Sequence, residues 1–344
     1  MWIEISKDIF ESKNYKGFNY LLQILTWNPI SSIARYNIVV ESENIKETEN
    51  YNLLSITDKQ LIDEEYNHYV NSSGQTKFHI TTSLGPNNYN LEEAIRFFNQ
   101  PVSIILENSK NDASFITALV SHYDRKLDNG LRVIEEHINN GWIQFENAGG
   151  CSNVENFIEG KLQSFNSLSL IHGKQNFSYL RCILILDSDK EYPTQRKKSQ
   201  YEKLENYLEA NGIIPYHILE KRMMENYMPD EVFSELNNAV TSSWISVYLT
   251  LTKDQKDYIN IKNGFPKEYD QNGNRLPIKQ DILNLYNISI HNFNILDKGL
   301  NFPDFKNKFP LLFSISTQVN KYTLSRRDGS NELERILEKI RNMI

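Results

Sequence analysis

Three acidic motifs follow strand-sized apolar runs. Glu107 closes Pro101-Val-Ser-Ile-Ile-Leu106, and Asp187-Ser188-Asp189 closes Cys182-Ile-Leu-Ile-Leu186. Glu225 lies in Glu220-Lys-Arg-Met-Met-Glu-Asn-Tyr227, just after Gly212-Ile-Ile-Pro-Tyr-His-Ile-Leu219. In an open α/β sheet, ligands bind outside the carboxyl ends of the strands. Carboxylates gathered there, with no His or Cys cluster beside them, make a hard oxygen set suited to Mg²⁺ or Mn²⁺. Such a metal activates water and offsets charge on phosphate. The expected chemistry is therefore metal-assisted attack on a phosphate ester.

Within these motifs, Asp187 and Asp189 at i and i+2 can face one metal while Ser188 turns away. Glu107 and Glu225 are brought towards the same edge by their strands. Asp112 follows Glu107 in a polar turn and reads either as a further ligand or as an ordinary helix N-cap. Gly149-Gly150 either lets backbone approach phosphate or makes a tight turn. Lys221 and Arg222 read either as phosphate contacts or as partners of nearby acids such as Glu220 and Glu225. Arg196-Lys-Lys198 and Arg326-Arg327 read as solvated faces. Lys262 is, on its own, a lysine at the end of a short strand over 258–265.

The elements that must hold these residues start at about residue 96. Apolar runs alternate with helix-length amphipathic stretches, the βαβ pattern of a parallel sheet covered on both faces. The expected order is strand 102–106, helix 112–124, strand 143–147, helix 153–163, strand 182–186, helix 194–210 and strand 213–219. Residues 1–95 read as a separate mixed α/β region, with strands at 2–5, 36–40 and 77–81. A helix over 57–70 is expected there, opened by a Thr57-x-x-Gln60 capping box. Residues 266–344 read as a helical extension. Its last helix has a capping box at Asn331-x-x-Glu334 and an apolar face of Leu333, Ile336, Leu337, Ile340 and Ile344, packed on its own domain or on a second copy in a homodimer. Residues 244–251 suit either strand or buried helix.

The 344-residue chain is 40% hydrophobic and 24% charged, ordinary for a globular protein. No apolar run is long enough to cross a membrane. The first residues carry no basic segment followed by an apolar one, so no secretory leader is expected. Its two cysteines, Cys151 and Cys182, fit reduced thiols of a cytoplasmic protein. Seven scattered histidines without HxxxH or HExxH spacing argue against zinc. A net charge of −7 argues against broad non-specific nucleic-acid binding, while leaving nucleic acid open as a substrate.

Over residues 100–265 the motifs resemble the Toprim fold, and within it the OLD-family and related Toprim nucleases of antiphage systems. The resemblance rests on Ile104-Ile-Leu-Glu107, on Gly149-Gly150-x-x-Asn153-Val154, and on Ile183-Leu-Ile-Leu-Asp-Ser-Asp189. It also rests on Leu219-Glu-Lys-Arg-Met-Met-Glu-Asn-Tyr227, which is similar to that family's KREIENY segment, and on Lys262 in Ile261-Lys-Asn-Gly-Phe265. It implies a metal-dependent endonuclease acting on DNA, tRNA or another RNA. Glu107, Asp187 and Asp189 would hold Mg²⁺ or Mn²⁺, with Glu225 and Asp112 at a second ion. Lys262, or Lys221 with Arg222, would neutralise transition-state charge. The chain departs from the family where Asn108 follows Glu107 and Asn stands at 111, the acid coming one residue later at Asp112. OLD proteins carry their own ATPase, but no GxxxxGK[ST] occurs here. The resemblance therefore implies a stand-alone toxic effector held in check by a separate ATPase or sensor. The rival readings are a Toprim module that binds nucleic acid or a partner protein without cutting, and a sugar-nucleotide transferase using only the DxD.

Overall fold

The computed structural model describes residues 1–12, 15–25, 33–40, 42–72, 76–127, 130–212 and 215–344. The architecture is α/β, with two parallel four-stranded sheets flanked by helices.

The first sheet contains β1 (Trp2–Ile5), β2 (Asn37–Val39), β3 (Thr76–Ile80) and β4 (Asn88–Tyr89), in the order β2-β1-β3-β4. Three of its strands match the sequence expectation to within a residue or so; β4, only two residues long, carries no periodicity to read. The long helix here, Ile56–Ser72, is opened by Ser55 rather than Thr57. The Ser55 hydroxyl accepts from Asp58 N at 3.1 Å, and the Asp58 carboxylate accepts from Ser55 N at 3.2 Å. The expected Thr57-x-x-Gln60 box is thus displaced by two residues.

The second sheet contains β5 (Val102–Leu106), β6 (Ile143–Asn147), β7 (Cys182–Leu186) and β8 (Tyr216–Ile218), in the order β6-β5-β7-β8. β5 and β7 are buried along their whole lengths, which explains their unbroken apolar sequence. Ile104, Leu106, Ile183 and Ile185 pack with the helix Ser109–Tyr123 and with the C-terminal residues Phe313, Leu333, Ile336 and Ile340. Ile105, Leu184 and Leu186 pack on the opposite side with the helices Val154–Gln163 and Ser199–Ala210. The strand expected over 213–219 is observed as β8, residues 213 and 214 lying outside the described ones. The helix expected from 194 begins only at Ser199, after a loop holding Pro193.

Beyond 240 one open alternative is decided and two expectations are corrected. Residues 244–251 resolve as helix, Ser242–Leu249. Residues 258–265 are not a strand: the helix Lys253–Tyr258 gives way to a tight turn bridged between Asn260 and Gly264. Thr252 and Gln255 form the capping box of that helix. Glu332–Arg341 is helical as expected, but Asn331 makes no side-chain cap. Instead Glu332 turns inward and accepts from His217 at 2.8 Å and from Glu220 N at 2.7 Å. The five apolar residues of this last helical segment are buried in the core of the second sheet. Residues 266–344 therefore share that core rather than forming one of their own.

Candidate active site: a carboxylate cleft at the switch of strand order

The chain places β6 on one side of β5 and β7 on the other. Loops leaving β5 and β6 diverge from those of β7 and β8, opening a crevice above the carboxyl end of β5. A cleft of about 530 Å³ lies here, and Glu107, Asp112, Gly149, Gly150, Asp187, Glu225 and Lys262 all line it. Seven sequence-selected positions, spread over more than 150 residues of chain, thus meet in one place.

Glu107, Asp112 and Asp187 are each held by a backbone N–H. Glu107 accepts from Cys151 N at 3.3 Å and from the Tyr201 hydroxyl at 3.4 Å. Asp112 is not an N-cap: Asn108 holds that position, and Asp112 sits in the first turn of the helix, where it accepts from Asn108 N at 2.9 Å. Asp187 accepts from Met224 N at 3.0 Å, which ties the DxD loop to the Lys-Arg-Met-Met-Glu-Asn-Tyr segment. Ser188 turns away from the cleft, as the i, i+2 spacing requires; it is buried and donates to Lys221 O at 2.6 Å. Glu225 rides on the short 3₁₀ turn Met224–Tyr227.

Four carboxylates in one recess repel one another. Burial first, then the Asp189 charge, pushes Glu107 up to about 7. Burial, then Glu225 and Glu107, pushes Asp112 up to about 7. Asp187 is raised well above the usual carboxylate range by burial and by Glu225, Glu107, Asp112 and Asp189. Burial raises Glu225 as well, while Lys262 pulls it back down. Lys262 is thus a cation of the cleft that acts on Glu225, and Lys306 lines the same cleft.

Three expected residues lie elsewhere. Asp189 takes a left-handed backbone conformation, φ 54°, and sits beside the cleft, where its carboxylate accepts from Tyr201 at 3.3 Å and pairs with Lys198 at 3.6 Å. Lys221 is not brought to the cleft. It is buried, pairs with Asp257 at 2.8 Å and donates to Asp328 O at 3.1 Å. Arg222 donates to Tyr258 O at 3.3 Å, while its own carbonyl accepts from Ser188 N and Asp189 N at 3.1 and 2.9 Å. The backbone carbonyls of the pair brace the DxD loop, and neither residue lines the cleft.

Tyr201 was not singled out from sequence. It lies on the apolar face of its helix with Leu204 and Leu208, a spacing that reads as core. Only its hydroxyl, which must find a partner when buried, marks it as different.

The donors available to a metal are carboxylate oxygens with uncompensated negative charge, which suits a hard divalent cation. Among the described residues, no three His, Cys, Asp or Glu side chains close into a ready-made metal cage. An open cleft with spread acids fits Mg²⁺, which keeps several waters and takes one or two carboxylates plus substrate phosphate. Among the described residues no helix is long and apolar enough to cross a membrane. No family model, curated protein or solved structure matches the chain.

Proposed function

We propose that the chain is a metal-dependent phosphodiesterase of the Toprim type, cutting DNA or RNA. The observation that carries this reading is the meeting of Glu107, Asp112, Asp187 and Glu225 with Lys262 in one cleft at the switch of strand order. Glu107, Asp187 and Glu225 would hold Mg²⁺ or Mn²⁺, with Asp112 contributing from the helix. Bound there, the ion would lower the pKa of water and offset charge on the phosphate.

The protein's own groups do the rest. Tyr201 orients Glu107 through its hydroxyl and is itself fixed by Asp189. Lys262 faces the acids as a point charge and neutralises the phosphate that displaces water from them. Gly150, with φ 107°, turns its loop in a conformation other residues resist, so backbone rather than side chain borders the cleft. The brace of Lys221 and Arg222 keeps the DxD loop in register.

The test is cleavage of labelled DNA and RNA by the purified chain with Mg²⁺, Mn²⁺, Zn²⁺ or EDTA, beside Asp187→Ala. Cleavage is expected with Mg²⁺ or Mn²⁺ only, and not by Asp187→Ala. Full activity in EDTA, or wild-type rates from Asp187→Ala, would overturn the reading.

A further inference from the structure

A second groove, of about 680 Å³, opens from the carboxylate cleft: Lys262, Asn263, Phe305 and Lys306 line both, and Lys298 extends the new one. Lys298 and Lys306 are exposed and Lys262 is half-buried. Among the described residues none of the three has an ion-pair partner. The one acid lining this groove is Asp304, and it already accepts from Asn307 at 2.7 Å. Elsewhere on the chain, lysines are spent on acids: Lys197 on Glu205, Lys253 on Asp257, Lys256 on Asp230. On a chain of net charge −7, three unspent lysines in one groove next to clustered carboxylates run against the average.

The groove is built rather than incidental. Gly299, at φ 71°, lies so close to the Lys262 turn that a Cβ on it would come within 2.0 Å of Lys262 O. Leu300 N donates to Ile261 O at 2.7 Å. The segment that presents Lys298 and Lys306 is therefore clamped on the turn that presents Lys262, and the two sides keep a fixed spacing.

We propose that the groove lined by Lys298 and Lys306 carries the phosphodiester backbone of the nucleic acid flanking the bond held in the carboxylate cleft; this rests on the phosphodiesterase reading above. The cleft repels phosphate until its charge is offset, so affinity must come from beside it. Lysines on a strand's path supply that affinity by releasing counterions, independent of base sequence.

The test measures binding of one labelled single-stranded sequence, made as DNA and as RNA, to the full chain carrying Asp187→Asn so that nothing is cut. The same chain with Lys298→Gln and Lys306→Gln is the comparison, and Lys298→Arg with Lys306→Arg is the charge-keeping control. Loss of two phosphate contacts should flatten the slope of log affinity against log salt by about 1.4. The arginine pair should restore it. If the parent binds and the glutamine pair follows the same salt line, the groove assignment is overturned while the phosphodiesterase reading stands. If the unmodified chain neither binds nor cuts either strand with Mg²⁺ or Mn²⁺, the underlying reading falls and takes the groove with it. Both substituted lysines are exposed, so folding should be unaffected.

Discussion

At Tyr201 a single hydroxyl joins two acids that approach from different strands. Its one proton is shared between Glu107 at 3.4 Å and Asp189 at 3.3 Å, and the ring is buried. Tyr201→Phe removes the bond and keeps the packing. Partners that orient metal-binding groups typically cost about 10–100-fold in affinity or activity when lost. We expect a loss in that range, with a weaker apparent affinity for Mg²⁺ and an unchanged melting temperature; wild-type Mg²⁺ dependence in Tyr201→Phe would show that the bond orients nothing. Lys262 and Arg222 are separated by the same logic. Lys262 faces the acids, so Lys262→Ala should lower the single-turnover rate with little change in substrate affinity. Arg222 braces the DxD loop from behind. The bonds to the DxD loop come from its backbone carbonyl, which Arg222→Ala keeps; the substitution removes only the side-chain bond to Tyr258 O at 3.3 Å and should leave the salt dependence of binding untouched, the opposite of a phosphate contact. Its side chain could not be placed from sequence, because Lys221-Arg222 beside clustered acids looks the same whether it points to solvent, to substrate or to a buried partner.

At the scale of elements, the parallel strands and the DxD were legible because the chemistry is local. Five buried residues in a row followed by a carboxylate needs no distant information, and β5, β6 and β7 fall where the apolar runs predict. The turn 258–265 was misread as a strand because Ile259 and Ile261 alternate, yet their burial serves the core around the C-terminal segment. What fixes that turn is long-range. Asp257, at its head, is buried between Lys221 at 2.8 Å and Arg327, and also holds Lys253 at 2.8 Å. Its backbone carbonyl accepts from Arg222 N at 2.9 Å. Lys221 is pushed down to about 8 by burial and by Arg327, so its charge is kept by Asp257. Asp257→Asn leaves two buried cations short of an anion, a change that costs about 3–5 kcal/mol. Urea denaturation should show that loss, with cleavage falling in parallel as the DxD brace loosens. A loss under about 1 kcal/mol would mean the cluster is solvated and not the brace described.

On the scale of the whole molecule, the two sheets are joined by buried polar groups that no motif announces. Arg181, just before β7, donates to Tyr36 in the first sheet's core, to Gln100 O at 3.4 Å and to Met343 O at 2.9 Å. Tyr179 donates to Glu93 at 2.6 Å, and Leu168 and Tyr179 complete the first sheet's core from residues after β6. Residues 1–95 therefore do not close a core alone. His137 lies on the second sheet's side, close to Arg35, and gives this arrangement a pH dependence. It is buried, its Nδ1 lies 2.8 Å from Val133 O, and its ring stands edge-on to Trp142. Burial, and to a lesser degree the charge of the Met1 amino group, pushes it down to about 4. Above the ordinary histidine value of about 6.5 both folded and unfolded chains hold it neutral, and its contribution is fully present. As pH falls below that, the unfolded chain gains a proton that the folded one refuses until about pH 4, so stability is lost across this window, by about 3 kcal/mol in all. The cleft acids run the other way, because their raised values make the folded chain the better proton acceptor between about pH 4 and 7. The net slope thus mixes both effects, and His137→Phe isolates one. Urea denaturation of wild type and His137→Phe at pH 7 and pH 4.5 should show the wild type losing about 2–3 kcal/mol more than the variant on acidification. Parallel losses in the two proteins would mean that His137 is protonated in the fold and that the seam around it is open to water.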